Sequence, residues 1–128
     1  MTSSLASAFT GCATVFVVQD VARSVAHYRD VLGFDVEFTY GEPALYAGVE
    51  RDGVLIHLQA ATTSDRRSGQ GGVYVFSRDV DVLHRELAAR GARILKEPQD
   101  YDYGMRDFAI ADPDGNRLAF GMESRRRE

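Results

Sequence analysis

The sequence is poor in cysteine, has no tryptophan and contains no long hydrophobic run. Its only cysteine, Cys12, excludes an intrachain disulfide and cysteine-rich zinc sites and fits a reducing compartment. No apolar run approaches the roughly 18 residues that a transmembrane helix needs. Residues 1–7 have neither a basic start nor an apolar stretch, unlike a secretory signal. These absences predict a cytoplasmic protein without a membrane segment.

An excess of positive charge is also missing. The chain has 15 basic and 19 acidic side chains and a formal net charge of −4, which argues against nucleic acid as a partner. Mild acidity is compatible with a cationic ligand. A length of 128 residues is enough for one core, and a hydrophobic content of 45% is typical of a globular domain. We therefore treat residues 1–128 as a single domain.

The pattern of the first half predicts the order strand, helix, strand, strand, strand. An apolar run over residues 13–18 predicts the first strand. Asp20 can cap a helix whose apolar residues recur at helical spacing, and Gly33 can end it. Asp52 and Gly53 form the strongest two-residue hairpin signal in the chain. The three further strands are predicted at 36–40, 45–49 and 54–59.

The same order recurs after a polar linker. Asp79 or Asp81 can cap a second helix, and Gly91 can end it. Superposing Asp20 on Asp79 aligns strand with strand and helix with helix, which indicates an internal repeat. The remaining strands of the second half are predicted at 73–76, 93–95, 108–110 and 118–122. The predicted boundaries are 12–60 for module one, 61–72 for the linker and 73–122 for module two. The predicted class is α+β, with two βαβββ modules.

Two motifs carry a family resemblance. One is the Asp-Pro-Asp-Gly turn at 112–115 with its lead-in at 103–108, and the other is the helical segment 20–34 with its Leu-Gly-Phe end. Together they resemble the vicinal-oxygen-chelate superfamily, which includes glyoxalase I, the bleomycin-resistance proteins and the extradiol dioxygenases. The likeness covers about residues 12–122. It implies that the two modules form a curled mixed sheet around a ligand cleft, with the helices outside.

The resemblance also implies where a metal would be held. Metal-dependent members take one ligand from each of four strands, and matching the local motifs places these positions at Ala13, His57, Val73 and Ala119. Ala13, Val73 and Ala119 lack donor atoms, whereas closed protein metal sites need three or four ligands. We therefore expect no metal, no other cofactor and no catalytic residue. The alternatives are a metal-dependent lyase or dioxygenase, a metal-independent isomerase using His57, and a structural protein with a vestigial cleft.

Side chains that face the cleft are predicted to bind a small organic ligand. His57 and Gln59 alternate with Ile56 and Leu58 along one strand, so they are expected on the cleft side. The loop at 101–107 resembles the cleft rim of bleomycin-resistance proteins, where it would supply an aromatic ring and a charge. The predicted ligand-binding residues are His57, Gln59, Phe38, Tyr46, Tyr103 and Arg106.

The cleft rim departs from the drug-binding relatives in one residue. Tyr103 stands where those proteins usually carry tryptophan. Asp107 is expected to tie the loop to the sheet rather than to contact the ligand. Small residues at the former metal positions would leave an open, largely apolar pocket, which suits an aromatic or cationic organic molecule.

A homodimer is expected as well. The sheet of one module is too small to enclose a ligand, and the polar linker allows the modules to pair within one chain or between two. Small superfamily members of this length usually pair between chains, which implies a twofold dimer whose clefts involve both chains.

Overall fold

The computed structural model of the chain describes residues 6–124, which form two α-helices and eight β-strands. The elements of module one are β1 (Thr14–Val18), α1 (Val21–Asp30), β2 (Asp35–Tyr40), β3 (Tyr46–Arg51) and β4 (Val54–Ala60). Those of module two are β5 (Gly72–Phe76), α2 (Val80–Ala89), β6 (Arg93–Asp100), β7 (Met105–Ala111) and β8 (Arg117–Glu123). Each module therefore has the order βαβββ, and the predicted α+β class is confirmed.

Both helices begin at the residues that the sequence indicates, and they end two or three residues before the glycines that are predicted to stop them. The Asp20 carboxylate accepts a hydrogen bond from the Arg23 amide at 3.0 Å, which satisfies a free donor of the first turn of α1. Asp79, rather than Asp81, does the same for α2. α1 ends at Asp30, and the turn that follows it contains Gly33, whose φ of 76° is readily adopted only by glycine. Each helix has ten residues, and no helix within residues 6–124 is long and apolar enough to cross a membrane.

Each module has its own four-stranded mixed sheet. The strand orders are β1-β4-β3-β2 and β5-β8-β7-β6; the β1–β4 and β5–β8 pairs are parallel, and the other pairs are antiparallel. One face of each sheet packs against the helix of its module, with Ile56 and Leu58 fully buried in module one and Leu118 in module two. The two helix-packed faces contribute to one hydrophobic core. The opposite face of each sheet, which we call its open face, carries the residues that alternate with this core.

Several strands are longer than their apolar patterns predict. The seventh strand starts at Met105 rather than 108, and β6 extends to Asp100 rather than stopping at 95. β6 is an edge strand, its pairing with β7 is interrupted twice, and most of its residues are exposed. Such a strand needs little apolar character, so hydrophobic patterning detects only its beginning.

The Asp-Pro-Asp-Gly turn joins the two modules. The Asp112 side chain, which is 1% exposed, accepts backbone hydrogen bonds from Asp114, Gly115 and Asn116 within the β7–β8 turn. The Asn116 amide then donates to the carbonyl of Val17 in β1 at 3.2 Å. The motif therefore holds module two against the first strand of module one.

Candidate ligand-binding site

The open face of module one carries a cluster of three rings, Phe38, Tyr46 and His57. The Tyr46 hydroxyl lies 3.0 Å from His57 Nδ1, and their ring centroids are 5.3 Å apart in an edge-to-face arrangement. Phe38 meets the His57 ring edge-on at 5.4 Å and stacks with Tyr46 at 6.2 Å. His57 and Gly48 are paired across β4 and β3, on the face opposite Ile56. The three residues form an aromatic wall whose histidine orientation is set by a tyrosine.

Gly48 makes this wall possible. Phe38 lies beside Gly48 across the β2–β3 pair, and its ring covers the glycine. A Cβ atom at position 48 would overlap that ring. The absence of a side chain at Gly48 therefore lets Phe38 lie flat on the sheet beside His57.

Gln59 lies on the same face of β4 but is tied to the linker. Its side-chain amide donates to the backbone oxygen of Thr63 at 3.1 Å, within the short helical turn Ala61–Thr63. A shallow hollow of about 570 Å³ opens beside this turn. Its lining residues are Phe38, Thr39, Tyr40, Leu45, Tyr46 and Thr63. Two predicted ligand-binding residues, Phe38 and Tyr46, thus line a hollow.

The open face of module two carries a second cluster, built around a buried carboxylate. Tyr74 and Tyr103 each donate a hydrogen bond of 2.9 Å to Oδ2 of Asp107, which is 6% exposed. Desolvation of the hydroxyls and their hydrogen bonds to Asp107 raise the pKa of both phenols to about 12. Phe76 lies next to Tyr74, with ring centroids 5.4 Å apart. Both phenols therefore stay protonated at neutral pH and hold the carboxylate between them.

Small residues form the floor of this second cluster. Ala119 is paired with Tyr74, and Gly121 is paired with both Phe76 and Asp107. A Cβ atom on Gly121 would overlap the Tyr74 hydroxyl. The floor therefore gives Tyr74 the room to reach Asp107.

Arg106 lies away from the open face, contrary to its predicted position in the ligand cleft. Its guanidinium binds both carboxylate oxygens of Asp81 on α2, at 2.8 and 3.0 Å, and lies 3.3 Å from Asp100. These carboxylates raise the pKa of Arg106 further above its usual value. Because neighbouring strand residues point to opposite faces, Asp107 on the open face places Arg106 on the helix side. The acidic residue, not the basic one, accompanies Tyr103.

The third assigned metal position is also displaced by one residue. Val73 is paired with Leu118, which is fully buried on the helix-packed face, whereas Tyr74 is paired with Ala119 on the open face. The open face at this point of β5 therefore presents Tyr74. Within residues 6–124, no group of three or more His, Cys, Asp or Glu side chains is arranged to hold a metal ion.

A groove of about 690 Å³ lies between the modules. It lies on the helix side, between Leu32 and Phe34 of module one and Val82 and Leu83 of α2, and none of the six predicted ligand-binding residues lines it. No hydrogen bond or ring contact in the described part of the chain links the Phe38 cluster to the Tyr103 cluster. Each open face is therefore one wall of a site, and the groove shares Phe76 with the wall of module two.

Tyr74 and Phe76 were not predicted as site residues. The signal was present, because the sequence Val-Tyr-Val-Phe at 73–76 places both rings on one face of a strand. Nothing polar in that segment shows which of its two faces is covered by α2.

The fold and the two clusters define a class of protein: paired βαβββ modules whose sheets each present one open, aromatic face. The family model of the Glyoxalase/Bleomycin resistance protein/Dioxygenase superfamily matches residues 12–120. The chain therefore belongs to this superfamily, as its motifs indicate.

Individual relatives agree with this assignment. An uncharacterized protein from Mycolicibacterium smegmatis is 33% identical over 107 residues, which is 83% of this chain and 87% of the relative. The crystal structure of TioX from Micromonospora sp. ML1 superposes with a TM-score of 0.78 at 20% identity, covering 91% of this chain and 100% of TioX. The bleomycin-binding protein of Streptomyces verticillus was crystallised with copper(II)-bleomycin. It superposes with a TM-score of 0.74 at 25% identity, covering 91% of this chain and 98% of the bleomycin-binding protein.

Proposed function

We propose that this protein binds a small organic molecule, aromatic or cationic, between the two open faces, without a metal and without catalysis. The observation that carries this proposal is that both open faces present aromatic side chains to solvent. Phe38 is 41% exposed, Tyr103 64% and Phe76 80%. Exposed rings around a few fixed polar groups are typical of sites that recognise organic ligands.

Binding is favoured over chemistry because the polar groups of the two clusters already have partners. His57 is engaged by Tyr46, and Asp107 accepts two phenol hydroxyls. Neither cluster contains a serine, cysteine or lysine that could act as a nucleophile next to a base. The bleomycin-binding protein of similar fold, whose structure contains copper(II)-bleomycin, supports a binding role by analogy.

The proposal includes a homodimer in which the open face of module one meets that of module two from a second copy. Within one chain the helix-packed faces of both modules share a core, so the open faces are left uncovered. A second copy related by twofold symmetry would provide the missing wall twice. Light scattering at micromolar concentration should then give about twice the chain mass of 14.2 kDa. A monomer that binds ligands normally would contradict the cross-chain cleft.

Ligand binding can be tested with benzyl alcohol as an aromatic probe and ring-selective NMR. The resonances of Phe38, Tyr46 and His57 should shift on titration, whereas those of Phe34 and Phe120, which line the helix-side groove, should not. Phe38→Leu should weaken the binding of benzyl alcohol by about three- to tenfold, because one ring of the wall is lost. Shifts confined to Phe34 and Phe120 would instead place the site in the groove and overturn the proposal.

The metal-free state has its own test. Elemental analysis of protein purified without an affinity tag should find well under one transition metal per chain. Near-stoichiometric nickel, zinc, iron or manganese that resists dialysis would favour the alternative, a metal-dependent lyase or dioxygenase of the same superfamily.

We also propose the cytoplasm as the compartment. The thiol of Cys12 is free and exposed, and exposed free thiols persist in reducing surroundings. Quantitative labelling of Cys12 by a thiol reagent in freshly lysed cells would support this location, and a recovered intermolecular disulfide would argue against it.

A further inference from the structure

We propose that the open face of module two binds the cationic end of the ligand, and that this end is an alkylated ammonium group. The inference rests on the proposed function and adds a chemical class and a place for it. The site consists of the carboxylate of Asp107, the rings of Tyr74, Phe76 and Tyr103, and the floor residue Gly121; we call it the module-two cage.

The first argument is an unbalanced buried charge. Asp107 is 6% exposed, yet no basic side chain within residues 6–124 lies within ion-pair distance of its carboxylate. The neighbouring Arg106 points to the other side of the sheet and binds Asp81. Buried charges in proteins are usually paired with an opposite charge. Among residues 6–124, the carboxylate of the cage therefore has no cationic partner.

Asp112, the other acidic residue of similar burial on β7 and its turn, shows the contrast. Its carboxylate accepts three backbone amides, the Asn116 amide and the Tyr28 hydroxyl. Asp107 has only two phenol donors, and both go to Oδ2. No hydrogen bond to Oδ1 of Asp107 is formed inside the described range 6–124. One oxygen of this carboxylate is therefore available to an incoming positive charge.

The second argument is the exposure of ring surface around the carboxylate. Phe76 is 80% exposed, Tyr103 64% and Tyr74 39%, although all three are large hydrophobic residues. Cations attract the faces of aromatic rings, and several rings around one charge form the sites that recognise quaternary ammonium groups. Gly121 and Ala119 let the Tyr74 ring lie low on the sheet, because Tyr74 occupies the space that a larger side chain at position 121 would fill.

The third argument selects an alkylated over a bare ammonium. The phenol hydroxyls of Tyr74 and Tyr103 both donate to Oδ2 of Asp107, so beside the single free oxygen Oδ1 the rim offers mainly ring faces. A bare ammonium would give up its hydration and recover few hydrogen bonds. An alkylated ammonium is weakly hydrated and exchanges methyl contacts with water for contacts with the rings.

The decisive experiment compares choline with neohexanol, the neutral alcohol in which a tert-butyl group replaces the trimethylammonium group. Binding of each is followed on the intact protein by NMR of the Phe76 and Tyr103 rings. Choline should bind about tenfold or more tightly than neohexanol. Equal affinities, or no binding of choline at tens of millimolar, would overturn the inference.

Two variants of the cage and one control variant locate the effect. Asp107→Asn should lower the affinity for choline about tenfold and leave the affinity for neohexanol nearly unchanged, because only the charge is removed. Asp102→Asn removes an exposed carboxylate from the same loop and should change neither ligand. Phe76→Leu changes a side chain that is 80% exposed, so it tests the cage even where Asp107→Asn does not fold. It should lower the affinity for choline by about threefold or more. Undiminished choline binding in Phe76→Leu would contradict the cage.

The failure of this inference is distinguishable from failure of the proposed function. If choline and neohexanol bind equally while benzyl alcohol still shifts the Phe38 ring, the protein binds organic ligands without cation selectivity. If none of the three compounds shifts a ring on either open face, the proposed function falls as well.

Discussion

The hydroxyl of Tyr28 in α1 donates a hydrogen bond to Oδ2 of Asp112 in the β7–β8 turn, at 3.0 Å. Both residues are almost fully buried, and 84 positions separate them along the chain. Burial and the Asp112 carboxylate raise the pKa of Tyr28 well above its usual value. The same carboxylate orders the β7–β8 turn, so one side chain couples the helix of module one to the last hairpin of module two.

Tyr28→Phe should lower the free energy of unfolding by about 1.5–3 kcal/mol, because a buried carboxylate loses one of its donors. Urea denaturation measures the change. Tyr40→Phe is the matched control, since Tyr40 is 67% exposed and should change stability by less than about 0.5 kcal/mol. A Tyr28→Phe protein as stable as the control would mean that the Tyr28 hydroxyl does not hold the modules together.

The order of the elements could be predicted from the sequence because each boundary has a local cause. Asp20 and Asp79 cap the helices by bonds that depend only on nearby residues, and the Asp52-Gly53 turn is likewise local. The extent of β6 could not be predicted in the same way. That strand is held by pairing with β7, which is a contact between distant segments.

The open face of a strand can also be predicted from the sequence in some strands and not in others. In β4, polar His57 and Gln59 alternate with apolar residues, so the pattern identifies the open face. In β5, every residue from Val73 to Phe76 is apolar or aromatic, so the pattern permits either face. Shifting the assignment of a strand by one residue exchanges its two faces. The motif match therefore assigns the third metal position to Val73, whereas Tyr74 lies on the open face. The strand pattern likewise does not indicate that Arg106 binds Asp81, because Asp81 comes from α2.

Gly48→Ala should disturb the module-one wall without unfolding the protein. The added Cβ overlaps the Phe38 ring, which is partly exposed and can rotate toward solvent. We expect a loss of about 1 kcal/mol or less in stability, altered ring resonances of Phe38 and His57, and weaker benzyl alcohol binding. Gly72→Ala is the control, since the nearest atom to its added Cβ is the Arg117 carbonyl oxygen at 3.9 Å. If Gly48→Ala behaves like Gly72→Ala in both NMR and binding, Gly48 does not position Phe38.

Asp107→Asn should bring the titration of Tyr74 and Tyr103 closer to the usual phenol value of 10.0, because it removes a negative charge and an acceptor. In the unaltered protein both phenols stay protonated up to about pH 12. Their contribution to stability is therefore complete below pH 10.0 and is lost as the pH rises toward 12. Tyrosinate absorbance as a function of pH reports both changes, and Tyr28 serves as an internal control that should still titrate late. Unchanged curves for Tyr74 and Tyr103 would show that Asp107 does not hold their protons.

A mixed dimer can show whether each ligand cleft takes one wall from each chain. One chain carries His57→Ala on module one, the other carries Phe76→Ala on module two, and two different tags allow the mixed dimer to be isolated. In a cross-chain arrangement, one cleft of the mixed dimer receives both substitutions and the other receives none. In a within-chain arrangement, each cleft receives one substitution and neither is intact. Benzyltrimethylammonium, which presents a ring to one wall and a cation to the other, is the probe.

The two arrangements therefore differ in number of sites and not only in affinity. Each parent dimer should bind the probe weakly, since every one of its clefts lacks either His57 or Phe76. The mixed dimer should regain one site of unaltered affinity, which calorimetry measures as a stoichiometry of about one per dimer. A mixed dimer that binds as weakly as both parents would exclude the cross-chain cleft. The result does not depend on the natural ligand, because symmetry alone decides which walls meet.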